Sequence, residues 1–516
     1  MARINTNVPS LLAQSRLGRT DRELNLRLER LSTGLRINRG RDDPAGLIIS
    51  ERIRSDIEGI TQGIGNAERA SSVTATTEAA LAEVGELLNS IKSLLVEAAN
   101  TGAVSEDERA ANQLQIDSAI ESITRISNTA SFGSLRLLDG SRDFTTSGIA
   151  ASAVSVVSVK NALFPPNTGT VNVDVDVLAS AQRGALFFDA TSQAIAGELA
   201  SSMSLEIAGP LGVSTVSFAS ATTLNDVAAA VNSLSEVTGV VASSVNGSFA
   251  NGLAFYSNGY GTDEFVSVTR TDRPTDPTLD GFQLFRFADA TQMDPSTISF
   301  ADPNLLPATV DRGQDVTALV NGILASGEGL EVSVSSSNLS MDLVLNEGFA
   351  IRPGAAPTSF DITGGGALFQ LGPDVTQLQQ VSIGIQSVAA SRLGGTLING
   401  QLQFLESLKQ GKENSLETSV KRSSFKAANQ ILDKAIDDVA ILRGRLGAFE
   451  RNVLDTNRRS LESQFENLSA SVSEIRDADF AFETSQLTRA QILSASGTQV
   501  LQLANQQSQQ VLQLLG

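Results

Sequence analysis

Residues 477–516 read DADFAFETSQLTRAQILSASGTQVLQLANQQSQQVLQLLG, and the spacing of their apolar side chains sets the expectation for the whole fold. Leu493, Val500, Ala504, Val511 and Leu514, with Gly497 and Gln507 filling the intervening places, recur at steps of three and four. This is the a/d pattern of a helix that lies against another helix. At the opposite end of the chain Leu24, Leu28, Leu31 and Leu35 repeat a 4-3-4 step. So short a seam is marginal in water, because nucleating a helix is costly. Burying one Leu contributes roughly 1.5–3 kcal/mol, against about 1–2 kcal/mol to order each residue. The two ends are therefore expected to form one split module, completed by each other and by neighbouring molecules.

Composition narrows the chemistry. The 516 residues contain no His, no Cys and no Trp. Without His there is no Ser-His-Asp triad, no usual zinc site and no imidazole base; without Cys there is no disulfide or thiol nucleophile. No cofactor is expected, and no enzyme. The net charge of −19 argues against general affinity for nucleic acid or an anionic membrane. No apolar run approaches the roughly 18 residues of a membrane span. The opening stretch MARINTNVPSLLAQSRLGRT lacks the apolar core of an ordinary secretory signal.

The charge is unevenly placed. Residues 148–374 hold 7 Lys/Arg against 23 Asp/Glu, while the rest of the chain holds 31 against 34. Of 13 prolines, only Pro9 and Pro44 fall outside 148–374. The chain thus divides into a helical N-terminal arm, an acidic insert and a helical C-terminal arm. The expected fold class is α with inserted β-rich domains: an elongated antiparallel coiled-coil rod carrying one or two β-rich domains. Residues 1–46 with 474–516 form the expected terminal core module. Residues 47–147 with 375–473 form the rod and its β-hairpin, and 148–374 the surface insert.

Within the arms, residues 2–35 read as helix, broken by the Gly- and Pro-containing stretch 36–46. Asp42 or Asp43 caps the next helix, with Pro44 at its first position. Leu81, Val84, Leu88, Ile91, Leu95 and Ala98 form a strong stripe of rod-packing positions, and Ser105 to Glu108 a capping box. A second stripe, Leu461, Phe465, Leu468, Val472 and Ile475, is expected to pack antiparallel against the first. Residues 132–145 predict a hairpin turning at Asp139-Gly140. Helix is expected over 401–408 and 423–446, and a strand over 375–385. In the insert the period changes to two at Val171–Val177, Phe265–Thr269 and Glu331–Ser335. Short helices are expected over 225–234 and 316–324. Asp174 and Asp176 alternate on one strand and read as a solvated face.

These ends resemble a known family. Leu31-Ser-Thr-Gly-Leu-Arg-Ile-Asn38 followed by Asp42-Asp-Pro-Ala-Gly46 is similar to the N-terminal signature of bacterial flagellin, as is Met1 to Asn7. Ile475-Arg-Asp-Ala-Asp-Phe480, Leu487 to Leu493, Gly497 to Leu501 and Val511 to Leu515 resemble its C-terminal signature. The likeness covers about the first 145 and last 140 residues, and Thr223 to Asn232 resembles a small repeat of flagellin and hook-protein inserts. The resemblance implies a subunit of the extracellular flagellar filament, a homopolymer that meets junction and cap proteins. It also implies an export chaperone and passage through the flagellar type III apparatus without a cleaved signal. Flagellins are sensed by a Toll-like receptor; the matching positions here are Leu88, Asn89, Ser90, Leu94 and, on the next helix, Gln115. Ser90 stands where the family has Arg, so a bidentate donor is missing and recognition is expected to be weak or absent. A junction protein with similar ends, or a ligand-binding insert, are the competing readings. An insert carrying an H-E-x-x-H protease is excluded by the absence of His.

Overall fold

The computed structural model describes residues 6–165, 169–191, 196–272, 282–288, 298–336, 338–352, 354, 356–398, 401–422 and 424–515, with the side chains of 508 and 510–515 excepted. Met1–Asn5, part of the N-terminal signature, lie outside this range, as do the side chains of Val511 and Leu514. Ten α-helices are described: α1 (Val8–Thr33), α2 (Pro44–Ala99), α3 (Glu106–Thr129), α4 (Leu224–Ser233), α5 (Ser235–Thr238), α6 (Glu347–Ala350), α7 (Leu416–Lys421), α8 (Lys426–Phe449), α9 (Asp455–Arg476) and α10 (Phe480–Leu515). Chain contacts define two compact units. One comprises Met1–Ser71, Gln370–Gln380 and Phe449–Gly516, the other Ser72–Phe369 and Val381–Ala448.

Local chemistry explains the helix ends. Gly34, at φ 72°, closes α1. Asp43 Oδ1 accepts from the Gly46 N–H at 2.9 Å, so Asp43 caps α2 with Pro44 at its first position. Its neighbour Asp42 instead accepts the N–H groups of Asn38 and Arg39. Those two bonds hold the Asp42 carboxyl below its ordinary range, the Arg39 N–H most of all. Ser105 and Glu108 form the expected capping box on α3.

In the second unit Leu81, Val84, Leu88, Ile91, Leu95 and Ala98 are all buried. Their antiparallel partner is α8: Glu78 meets Arg443 and Lys92 meets Asp433. Ile431, Leu432, Ala435, Val439, Leu442 and Leu446 supply its buried side. This corrects the expected pairing with the Leu461 stripe. That stripe lies on α9 in the other unit, where Leu461 is buried, Leu468 and Val472 are half-buried, and Phe465 is exposed.

The insert folds as antiparallel sheets around separate cores. One core lies between a five-stranded sheet containing Val171–Ala179 and a four-stranded sheet containing Leu339–Leu345. Val173, Val175 and Val177 point inward while Asp174 stays exposed. A second core gathers Leu205, Ile207, Phe255 and Val268 with Leu224, Val227 and Val231 of α4.

Four local expectations change. The hairpin pairs Ser131–Phe132 with Leu135–Arg136, turning at Gly133 (φ 62°). Asp139 instead closes a small loop by accepting from the Ser141 N–H at 2.9 Å, and Phe144–Ser147 joins Thr358–Gly365. Residues 316–324 form a hairpin rather than a helix: Thr317–Val320 pairs with Ile323–Leu324. Asn321 and Gly322, both at positive φ, make the tight turn that Asn-Gly favours. Residues 401–403 are a strand paired with Thr396–Ile398, followed by a 3-10 turn at Leu405–Leu408. Within 375–385, only Gln380–Ile383 is strand.

Candidate assembly interface

In the first unit α1 and α10 lie antiparallel. Asn7 Nδ2 donates to the Ala504 carbonyl at 3.2 Å, Ser10 Oγ to Asn505 Oδ1 at 2.8 Å, and Ser494 Oγ to Asp21 Oδ1 at 3.1 Å. The buried or half-buried face of α1 is Ser10, Ala13, Leu17, Thr20, Leu24, Arg27 and Leu31. On α10 it is Glu483, Leu487, Ala490, Ser494, Gly497, Leu501 and Ala504. Both sets step by three and four, as an antiparallel seam requires. Many of the positions are small, so the helices approach closely; a Cβ on Gly497 would lie 3.2 Å from Leu17 Cδ1.

One end of this seam is charged. Glu483 is 2% exposed. It accepts from Arg27 Nη1 at 2.8 and 3.0 Å and from Arg30 Nη1 at 3.0 Å. Two guanidinium groups thus satisfy a carboxylate that could not be buried unpaired. Beyond it the segment that follows α1 is tied to the segment that precedes α10. Leu35 and Asp477 form an antiparallel bridge, flanked by Arg36 N–H to the Arg476 carbonyl at 2.7 Å and Ala478 N–H to the Gly34 carbonyl at 2.9 Å.

Of the sequence-selected positions, Leu24, Leu31 and Ala504 lie on this internal seam, and Leu35 is half-buried at the bridge. Leu28, Leu493 and Val500 lie off it, exposed by 46, 47 and 56% respectively. They share the surface of the unit with Leu11, Leu12, Ile492 and Leu503. α10 therefore has two faces, a small-residue face used within the chain and a large-residue face of Ile492, Leu493, Val500 and Leu503 left open, while the α1 seam keeps Leu17, Leu24 and Leu31 and the exposed Leu28 lies about 160° around that helix from Leu12. Apolar spacing selects the second on α10. The signal for the first is Arg27 and Arg30 at i, i+3, opposite one acidic residue in α10, and hydropathy alone does not report it.

Around the receptor-equivalent stretch Leu88 is buried and Leu94 half-buried, while Asn89, Ser90 and Gln115 are exposed. In the insert the Asn246 side chain is engaged, accepting from the Ile298 N–H at 2.8 Å. Among the described residues no helix is long and apolar enough to cross a membrane.

Comparison with known proteins agrees with these ends. Residues 4–143 match the bacterial flagellin N-terminal helical region, 429–515 the C-terminal helical region, and 204–259 the flagellin hook IN motif. The chain is 30% identical to a flagellin of Salmonella rubislaw over 99% of both chains. It is 27% identical to the B-type flagellin of Pseudomonas aeruginosa, again over 99% of each. A flagellar junction protein from Legionella pneumophila aligns over 83% of this chain and 99% of its own at 13% identity, with a TM-score of 0.27. With its terminal regions in order and its full length matched, the chain belongs to the bacterial flagellins, the structural, non-enzymatic subunits of the extracellular flagellar filament.

Proposed function

We infer that the paired ends of this flagellin act as its assembly module, with 1–46 and 474–516 as terminal core, 47–147 and 375–473 as rod, and 148–374 as the outward-facing insert. The observation that carries this reading is the open apolar face of α10, with further exposed Leu side chains on α1. Leu11, Leu12, Leu28, Leu493, Val500 and Leu503 stand exposed beside a seam that is already satisfied. Identical copies stacked head to tail would cover that face, and contacts that do not close into a ring generate an open helix. Ordering the ends would then accompany stacking, as coupled folding and binding.

Partners follow from the same reading: other copies of the chain, the junction and cap proteins at the filament's two ends, an export chaperone and the type III apparatus. Export would need no cleaved signal. Gln499, Gln502, Gln506, Gln507 and Gln509 are exposed on α10, and an uncharged polar surface of this kind suits a lumen through which unfolded chains pass. Receptor contact through Leu88, Asn89, Ser90, Leu94 and Gln115 would be weak, since Leu88 is inside the α2–α8 seam and no guanidinium stands at position 90.

Deletion of 477–516 tests the module. The shortened chain should remain soluble and retain the insert's cooperative melting, yet form no filaments when seeded with sheared wild-type fragments. Filaments grown from it would overturn the reading.

A further inference from the structure

The two most exposed large apolar side chains among the described residues are not on the terminal helices. Leu378 is 93% exposed and Val375 86%, and both stand on the loop 371–379, in the same compact unit as α1 and α10.

This loop is built to hold them out. Gly59 and Gly63, one turn apart on α2, form a notch into which it settles. A Cβ on Gly59 would lie 2.9 Å from Pro373 Cβ, and one on Gly63 would lie 3.1 Å from the Leu371 carbonyl. Larger residues at either place would push the loop away. Asn457 Nδ2 of α9 donates to that same carbonyl at 2.9 Å, and Leu371 itself is buried. The tip is then clipped internally. Gln379 Oε1 accepts from the Asp374 N–H at 2.6 Å, and Gln379 Nε2 returns a bond to Asp374 Oδ2 at 3.1 Å. Gln370 Nε2 donates to the Gly372 and Asp374 carbonyls at 3.0 and 2.7 Å. Anchored at one side and cross-braced at the other, the loop cannot fold Val375 and Leu378 inward.

A scaffold that fixes two apolar side chains in water is explained by something that covers them. We propose that Val375 and Leu378 form a knob that inserts into a second copy of this chain, a lateral contact between subunits separate from the terminal helices. Three observations select a second copy. The stretch Val375-Thr-Gln-Leu-Gln-Gln380 carries no charge, so it is a place where molecules of net charge −19 can meet without like-charge repulsion. The loop sits on the unit that carries the terminal helices. Finally, another exposed apolar side chain stands on the same side of α2, beyond the exposed Arg52 and Ser55. Ile48, 64% exposed, precedes Gly59 by eleven residues, which at 3.6 residues per turn places the two within about 20° around the helix.

This inference rests on the filament reading, and its test separates the two. The chain contains no Cys, so Leu378→Cys introduces a single thiol. A maleimide should label it rapidly in the monomer and at least about tenfold more slowly in sheared filaments. In parallel, the double change Val375→Ser, Leu378→Ser should leave monomer melting unchanged and raise the critical concentration for seeded growth at least about tenfold. Filaments in which the introduced thiol reacts as fast as in the monomer, or a double variant that polymerises like the parent, overturn the knob while leaving the filament reading intact. If Leu378→Cys stops growth with monomer melting unchanged, that supports the knob. Failure of the parent chain itself to polymerise overturns both.

Discussion

Arg27 and Glu483, 456 residues apart in the chain, form an ion pair of a half-buried guanidinium with a buried carboxylate, in which Nη1 lies 2.8 Å from one carboxylate oxygen and 3.0 Å from the other. Arg30 adds a third bond at 3.0 Å, so the register of α1 against α10 is set by charge as well as by small side chains. Slipping the seam by one turn would leave the Glu483 carboxylate buried without a partner, which costs far more than a shifted Ala or Ser.

Glu483→Gln should therefore weaken the joined ends by about 1.5–3 kcal/mol, the scale of hydrogen bonds to a charged group, since the half-buried Arg27 and Arg30 it leaves behind can turn to water. The expected readout is a lower melting temperature of assembled filaments and faster shedding of subunits from their tips. Arg27→Lys keeps the charge and loses the forked donor, and should do less harm. Filaments of the Gln variant that melt with the parent would show that the bridge does not hold the ends together.

Leu493→Ser with Val500→Ser should behave differently. Both side chains are exposed in the single chain, so monomer stability should change by less than about 0.5 kcal/mol. If neighbouring copies bury them at roughly 1.5 kcal/mol or more each, the critical concentration for growth rises on the order of a hundredfold. Light scattering of seeded growth across a concentration series measures it.

Leu88 separates packing from receptor contact. It is fully buried between α2 and its neighbours, so Leu88→Ala should cost about 2–5 kcal/mol as a core truncation, visible in thermal unfolding. Ser90→Arg, on the exposed side, should leave melting unchanged and strengthen Toll-like receptor signalling in reporter cells. A gain of signalling from the first variant rather than the second would reverse the assignment.

Asp438 supplies a pH dependence. Burial raises its carboxyl above the ordinary range, while Lys434 and the Gly394 N–H at 3.1 Å pull it partly back. With the folded pKa above the unfolded one, the native state holds the proton more tightly. Stability from this group is thus greatest below its unfolded pKa of about 3.9 and falls as pH rises toward the folded value. Asp438→Asn, neutral at every pH, should gain in melting temperature relative to the parent as pH rises from about 3.9 toward the folded pKa. A difference that is flat or reversed over that interval would count against it.

Much of the fold is legible in local spacing. The stripe Leu81 to Ala98 is buried where its steps of three and four place it. The capping box at Ser105 and the alternation Val171 to Val177 also hold, because each depends on residues within one turn or one pleat. Expectation and structure part where a short apolar run has two uses. Val316 to Leu324 has helical spacing, yet Asn321-Gly322 at positive φ turns it back on itself. Phe144 reads as part of a local hairpin, but its strand pairs with Thr358–Gly365, more than two hundred residues away; no nearby residue reports such a partner.

What the residues alone establish, through periodicity, capping and charge, is that both ends are helices with apolar faces and that the acidic middle is β-rich. Folding in three dimensions supplies the assignments between faces: α8 beside Leu81–Ala98, Ser10 and Ala13 rather than Leu28 in the α1 seam, Leu378 outside. The reason is physical. A three-and-four spacing reports that a helix has a side to cover, but the cover is a distant segment chosen by fit, and small residues such as Gly497 that permit the closest fit carry almost no hydrophobic signal of their own.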